Sequence, residues 1–212
     1  MLNNLLKNPN HKIALFDLET CNLNLATEIN KPWQLGLIIC EGGQIKEKHN
    51  KYIWWDNLPM SASAARVTRF DYEKYKSLAK PADEALELLD SYLYNPEYIV
   101  MGHNILGFDV YVHNIWRKLL GKPVDYSYNN RLIDTNAIAR GIKMGLPYNN
   151  GSLLAYQYSA ISIKKEGIKT NLTALGKENK IEYDYENLHD GLNDCILNFQ
   201  VWNKYIKNKF KF

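Results

Sequence analysis

The chain has 212 residues, of which 46% are hydrophobic and 23% charged, with a formal net charge of +3. That composition excludes a wholly disordered chain and suits one substantial core, so a single domain spanning 1–212 is the expectation. It also holds no stretch approaching the roughly 20 apolar residues of a membrane span, and its three scattered cysteines, Cys21, Cys40 and Cys195, form no CxxC and read as reduced thiols of a cytoplasmic protein rather than a zinc site or disulfide framework.

Met1 to Lys12 offers only Leu2, Leu5 and Leu6 as apolar anchors, so no secretory signal is expected there. The run from His11 to Thr20 is apolar, bounded by polar residues, and predicts a buried strand. Trp33 to Cys40 predicts a second, and the turn residues Glu41-Gly42-Gly43 join it to a hairpin partner over Ile45 to Trp55. Small and polar residues at Met60 to Ala65 predict a loop. Helices are expected over Asp71 to Lys80 and Pro81 to Tyr94, where Ala85, Leu88, Leu89 and Tyr92 fall at helical spacing. Tyr98 to Met101 predicts a short strand leading into Gly102-His-Asn104. An amphipathic helix over Phe108 to Leu120 stops at Gly121 and Pro123. Arg131 to Thr135 predicts a short element that runs into a helix over Asn136 to Gly141. Residues Ile142 to Thr170 read as irregular, with one helix around Ser152 to Tyr158. Leu172 to Asn179 and a segment from about Asp190 predict the last two helices, the latter burying Cys195, Ile196, Phe199, Trp202 and Ile206. The basic end, Lys204 to Phe212, reads as a frayed tail. Strands first, then strands mixed with helices, imply an α/β fold on a mixed sheet.

The acidic residues carry the chemical signal. Asp17 and Glu19 flank Leu18 inside an apolar strand, and period-two alternation puts both carboxylates on one face. Two neighbouring anions in such a strand repel and cost desolvation, and a divalent cation resolves both costs; a solvent-facing pair at a strand end is the alternative. Asp109 follows a Gly-containing turn at the start of a helix, a position that suits a ligand or a simple first-turn acid. Asp194 lies in the first turns of the last helix, at the border of its buried face, with His189 in the loop before it. If these four acids converge on metal ions, the rest of the surface is distinctly basic, and mostly lysine, which suits contact with phosphates.

Together the three segments resemble the DnaQ-like, DEDDh-type 3′→5′ exonucleases of the ribonuclease H-like superfamily. Phe16-Asp-Leu-Glu-Thr20 is similar to that family's D-x-E motif. His103-Asn104 with Phe108-Asp109 resembles its HN…FD motif, and His189 followed by Asp194 matches the H-x4-D form of its third motif. Leu132-Ile-Asp-Thr135 and Asn171-Leu-Thr-Ala-Leu175 resemble recurrent elements between the motifs, so the likeness runs over about residues 11 to 206. Two departures stand out: the segment from about Ile142 to Thr170 is longer than the family minimum, and Cys21 follows Thr20 where many relatives have glycine.

The resemblance implies a ribonuclease H-like mixed central sheet flanked by helices and a site for two divalent ions, Mg²⁺ or Mn²⁺, held by Asp17, Glu19, Asp109 and Asp194. It makes His189 the general base, a role suited to a side chain whose unperturbed pKa is about 6.5. Weaker assignments follow for the terminal nucleotide: Leu18 and Thr20 through backbone groups, His103 and Asn104 near sugar or phosphate, and Phe108 against a base. Tyr72 to Lys76, Tyr148, Tyr156 and Tyr158 are candidates for stacking on a single strand. The implied activity is release of nucleoside 5′-monophosphates from single-stranded DNA 3′ ends, with a polymerase or other replication protein as a conceivable partner. Trimming of RNA 3′ ends is the alternative within the class, because contacts to a 2′-OH lie outside the motifs. A non-catalytic nucleic-acid-binding module is the alternative outside it, disfavoured because no acidic ligand and no histidine is missing.

Overall fold

The computed structural model describes residues 2–22, 24–25, 30–149 and 151–211. Its centre is β1 (Lys12–Thr20), the apolar run, which pairs antiparallel with β2 (Pro32–Glu41). The chain then turns through Gly42 and Gly43, both at positive φ, into antiparallel β3 (Gln44–Trp54). On the other side of β1 lie two parallel strands, β5 (Tyr98–Gly102) and β6 (Leu132–Asp134). A two-residue β4 (Lys80–Pro81) closes the far edge, giving the order β4-β3-β2-β1-β5-β6. The sheet is therefore mixed, as the element pattern implied.

Helices cover both faces, and the alternation along β1 decides which residues meet which helix. Ala14, Phe16 and Leu18 pack under α4 (Ala82–Leu93) and α5 (Asp109–Leu119). Ile13 and Leu15 point the opposite way, into a cluster with α6 (Thr135–Met144), α8 (Leu172–Glu178) and α9 (Gly191–Val201). Burying one such side chain stabilises the fold by roughly 1.5–3 kcal/mol, so a slip of one residue in β1 would forfeit both clusters. The same alternation carries Asp17 and Glu19 onto the α9 face, at the end of the strand.

Several segments depart from expectation. Leu2–Lys7 forms α1, whose Leu2 is buried and whose Leu5 and Leu6 pack on the α9-side core. Ala62–Thr68, expected as loop, is α2: Ser61 accepts a hydrogen bond from the Ala64 amide and so caps a run of good helix formers. Its partner α3 (Tyr72–Leu78) starts in the same way on Asp71. Within the segment expected to be irregular, α7 (Leu153–Ser162) is longer than predicted. It covers the β6 edge through buried Gln157, which accepts from the Asp134 amide at 2.6 Å and donates to the Leu132 carbonyl at 3.1 Å. The C-terminal end does not fray. After α9, a π-helical turn (Trp202–Ile206) and α10 (Lys207–Lys209) bring Phe210 into the core, stacked on Tyr148 and tilted against Tyr156. Phe210 thereby occupies two of the tyrosines expected as stacking surfaces. No helix among the described residues is long and apolar enough to cross a membrane.

Candidate active site

At the end of β1 three segments meet. Asp17 and Glu19 come from the strand, and Asp109 comes from the first turn of α5. The Leu18 amide, between the two strand acids, donates to Asp109 Oδ1 at 2.9 Å, which ties the helix to the strand. Asp109 is delivered by the turn after β5, where Asn104 adopts φ 61°, an unusual value for a residue with a side chain. Asp134 holds that turn: its carboxylate accepts from the amides of Asn104 at 3.0 Å and Leu106 at 3.1 Å, and caps α6 through the Ala137 amide. His103 Nδ1 lies 2.9 Å from the Thr135 hydroxyl, which in turn meets Asn198 on α9. Burial pushes the His103 imidazole down to about 4, so it is neutral at pH 7.

The third segment arrives through a close approach that the sequence alone did not reveal. Gly36, opposite Asp17 in the β1–β2 register, lies directly against Gly191; a Cβ there would fall 2.0 Å from the Gly191 carbonyl carbon. Two glycines thus let the N-terminus of α9 sit on the sheet beside Asp17. Buried Gln34 fixes the approach, donating to Asp190 at 2.8 Å and to Asn50 at 2.9 Å while accepting from the Gly191 amide at 3.3 Å. Asp190 caps α9, and the preceding His189 is held at φ 66° with its amide directed at the Asp194 carboxylate, at 3.3 and 3.4 Å. Donor atoms of Glu19, His189 and Asp194 all lie within 4.8 Å of one another, a grouping able to hold a metal ion.

The electrostatics show how little the protein itself offsets this crowding. Burial, then Asp109, Asp194 and Glu19, push the Asp17 carboxyl well above its ordinary range. Glu19 is pushed up to about 8 by burial and the neighbouring acids. Asp109 also reaches about 8 through burial, against the opposing Leu18 hydrogen bond, and Asp194 about 7 through burial against that of His189. Among the described residues no lysine or arginine forms an ion pair with any of the four. Hard oxygen donors, mutually repelling and short of cations, match what Mg²⁺ or Mn²⁺ requires.

The remaining predicted contacts are placed unevenly. The Leu18 amide is committed to Asp109, Thr20 is buried with its hydroxyl on the Asn22 carbonyl, and His103 is committed to Thr135. Asn104 is exposed on the turn, and Phe108 is half-buried beside Asp109. Next to His189 opens a cavity of about 230 Å³ whose lining includes Gln34, Tyr52, Arg69, Lys74 and Asp190. Sequence reasoning did not single out Arg69, Gln34 or Gly36; a buried glutamine in an otherwise apolar strand was the available signal for Gln34.

The mixed six-stranded sheet flanked by helices, with the acids at the end of its central strand, is a fold this chain has in common with solved exonucleases. Solved structures of exonuclease I share it. The zinc-ion-bound complex of the Escherichia coli enzyme with single-stranded DNA superposes at a TM-score of 0.74 with 16% identity, covering 94% of this chain and 41% of that one. The E. coli enzyme with a dT13 oligonucleotide gives 0.72 at 17% identity, covering 94% and 41%, and an apo form of exonuclease I gives 0.72 at 17%, covering 94% and 42%. This chain therefore spans about two fifths of the length of those proteins. Neither a protein-family model nor a curated protein matches the sequence.

Proposed function

We propose that the chain is a divalent-metal-dependent 3′→5′ exonuclease that removes nucleoside 5′-monophosphates from single-stranded DNA. The observation that carries this is the convergence of Asp17, Glu19, Asp109 and Asp194, with His189, at one end of the central strand, with no lysine or arginine among the described residues ion-paired to the acids. The four carboxylates would hold divalent ions, Mg²⁺ or Mn²⁺, which when bound would supply Lewis-acid chemistry toward the phosphodiester. His189, exposed at the rim beside Glu19 and Asp194, would act as the general base that accepts a proton from the attacking water. Asp109 shares its carboxylate between the site and the Leu18 amide, so α5 and β1 stay in register as the strand advances. Asn104 and Phe108 face the 3′-terminal nucleotide from the turn, with backbone groups of Leu18 and Thr20 below. His103, neutral and bonded to Thr135, supports that turn rather than touching substrate. Arg69 and Lys74, on the cavity beside His189, receive phosphates. DNA is preferred over RNA because solved proteins of this fold are seen with single-stranded DNA.

The test is purified protein with 5′-labelled single-stranded DNA and matched RNA, in Mg²⁺ and in Mn²⁺. The expected product is a ladder shortening from the 3′ end with release of 5′-monophosphates, faster on DNA. His189→Ala lowers the rate by roughly 10²–10⁴-fold. Folded protein that leaves both polymers intact sinks the proposal, and faster loss of RNA moves the substrate to the alternative.

A further inference from the structure

Three exposed tyrosines stand together beside the acid-bearing turn. Tyr111 lies in the first turn of α5, two residues after Asp109, about 3 Å further along the helix axis and about 200° around it, so its ring reaches solvent on the face of α5 opposite the carboxylate. Its ring meets that of Tyr126 at 6.4 Å in an edge-to-face arrangement. Tyr158, on α7, lies close enough to Tyr111 for their hydroxyls to interact electrostatically, and its neighbour Gln157 is anchored to β6. The three are 40%, 42% and 40% exposed. Among the other tyrosines singled out from the sequence, Tyr75 is buried, Tyr148 and Tyr156 pack on Phe210, and Tyr72, though exposed, sits apart on α3 against Tyr75. Nothing in the core calls for three large rings on this surface. Exposed Lys164 and Lys165, followed by exposed Glu166, continue the chain just after α7.

We propose that Tyr111, Tyr126 and Tyr158 form a stacking platform for the bases of single-stranded nucleic acid upstream of the 3′ end held at Asp109, on the far side of α5. This rests on the exonuclease proposal and adds to it the path of the strand. Aromatic rings bind any base through its π-face, and lysines track the backbone, so such a platform gains affinity with length and ignores sequence. Its position follows from chain connectivity: the helix that begins with Asp109 carries Tyr111 to the surface, and the turn held by Asp134 lies under Tyr158's helix. A strand leaving the acidic site across α5 meets these rings before open solvent.

The test compares KM for a thymidylate dinucleotide with KM for a dodecamer, in wild type, a triple Tyr→Ala variant and a triple Tyr→Phe variant. Wild type is expected to favour the dodecamer by at least roughly tenfold. That advantage collapses in the Ala variant and survives in the Phe variant, which keeps the rings. A 5-iodouracil-substituted dodecamer, photolysed on wild-type protein, crosslinks to peptides carrying these tyrosines, a readout independent of whether the Ala variant folds. Full length advantage in a folded Ala variant, equal loss in the Ala and Phe variants, or crosslinks confined to other surfaces would each overturn the platform while leaving the exonuclease proposal intact. Wild-type protein that cleaves neither strand overturns both.

Discussion

The buried acid Asp134 and the group of acids around Asp17 are handled in opposite ways in this fold. Asp134 is fully buried, yet its carboxyl is pushed up only to about 6. Asp109 is 3% exposed and reaches about 8, and half-buried Glu19 also reaches about 8. Burial alone would order them the other way. The difference lies in the donors: Asp134 accepts from the Asn104, Leu106 and Ala137 amides, whereas the carboxylates around Asp17 have few donors and crowd one another. Backbone amides solvate the charge of Asp134, so it is a structural anion complete in itself. The other group is incomplete until a cation arrives. A buried carboxylate thus becomes a candidate for metal binding through lack of donors, not through burial.

The largest expected effect breaks the incomplete group. Asp17→Ala should lower kcat/KM by about 10³-fold or more, corresponding to about 4 kcal/mol of transition-state stabilisation. In EDTA it should not lower the urea midpoint, because it removes a repelling charge. A substantial loss of stability in EDTA would mean that Asp17 is structural. Asp134→Ala inverts the pattern: leaving buried amides unpaired costs about 3 kcal/mol, and activity falls because the turn that carries Asp109 loosens. Unchanged urea unfolding of Asp134→Ala would refute the contrast. Smaller again, Gly36→Ala should cost about 2 kcal/mol through overpacking against Gly191. It lifts α9, with Asp194 and His189, away from Asp17. Activity should therefore drop more than in an alanine substitution at a strand position facing the α4–α5 side, measured on variants matched for melting temperature.

The sequence revealed these two groups to different degrees. Asp17 and Glu19 were legible because period-two alternation places them on one face whatever the surrounding fold. Asp194 and His189 were legible by spacing, but what seats them was not: Gln34 and Gly36 act across 157 and 155 positions of chain, and a single sequence carries no sign of such pairing. Asp134 looked like part of a recurrent tetrapeptide, and only the structure shows its carboxylate gripping the turn at 104–106. Helices α1 and α2 were missed because their stability comes from capping and docking rather than from a long amphipathic repeat. Phe210 was missed because a basic C-terminal end looks solvated until its aromatic partners are known.

The smallest expected effect separates the two groups without any mutation. Glu19, Asp109 and Asp194 are raised to about 8, 8 and 7, against about 4 for carboxyls in the unfolded chain. Between those values the folded state binds more protons than the unfolded one, so stability falls as pH rises. The stabilisation is full below about pH 4 and is lost by about pH 8. Each group changes it by at most about 1.4 kcal/mol per pH unit, and partial exposure with local relaxation reduces the sum to about 1–2 kcal/mol between pH 5 and 8. Mn²⁺ competes with protons for these oxygens, so its stabilising effect should be near zero at pH 5 and grow toward pH 8. Asp134 contributes a slope that ends near pH 6 and that no cation relieves, since backbone amides already fill its lone pairs. Urea midpoints across this range, in EDTA and in Mn²⁺, read both components. Parallel curves would show that the metal does not bind at the raised carboxylates; curves that meet at low pH and diverge above pH 6 would assign the divergence to the group around Asp17.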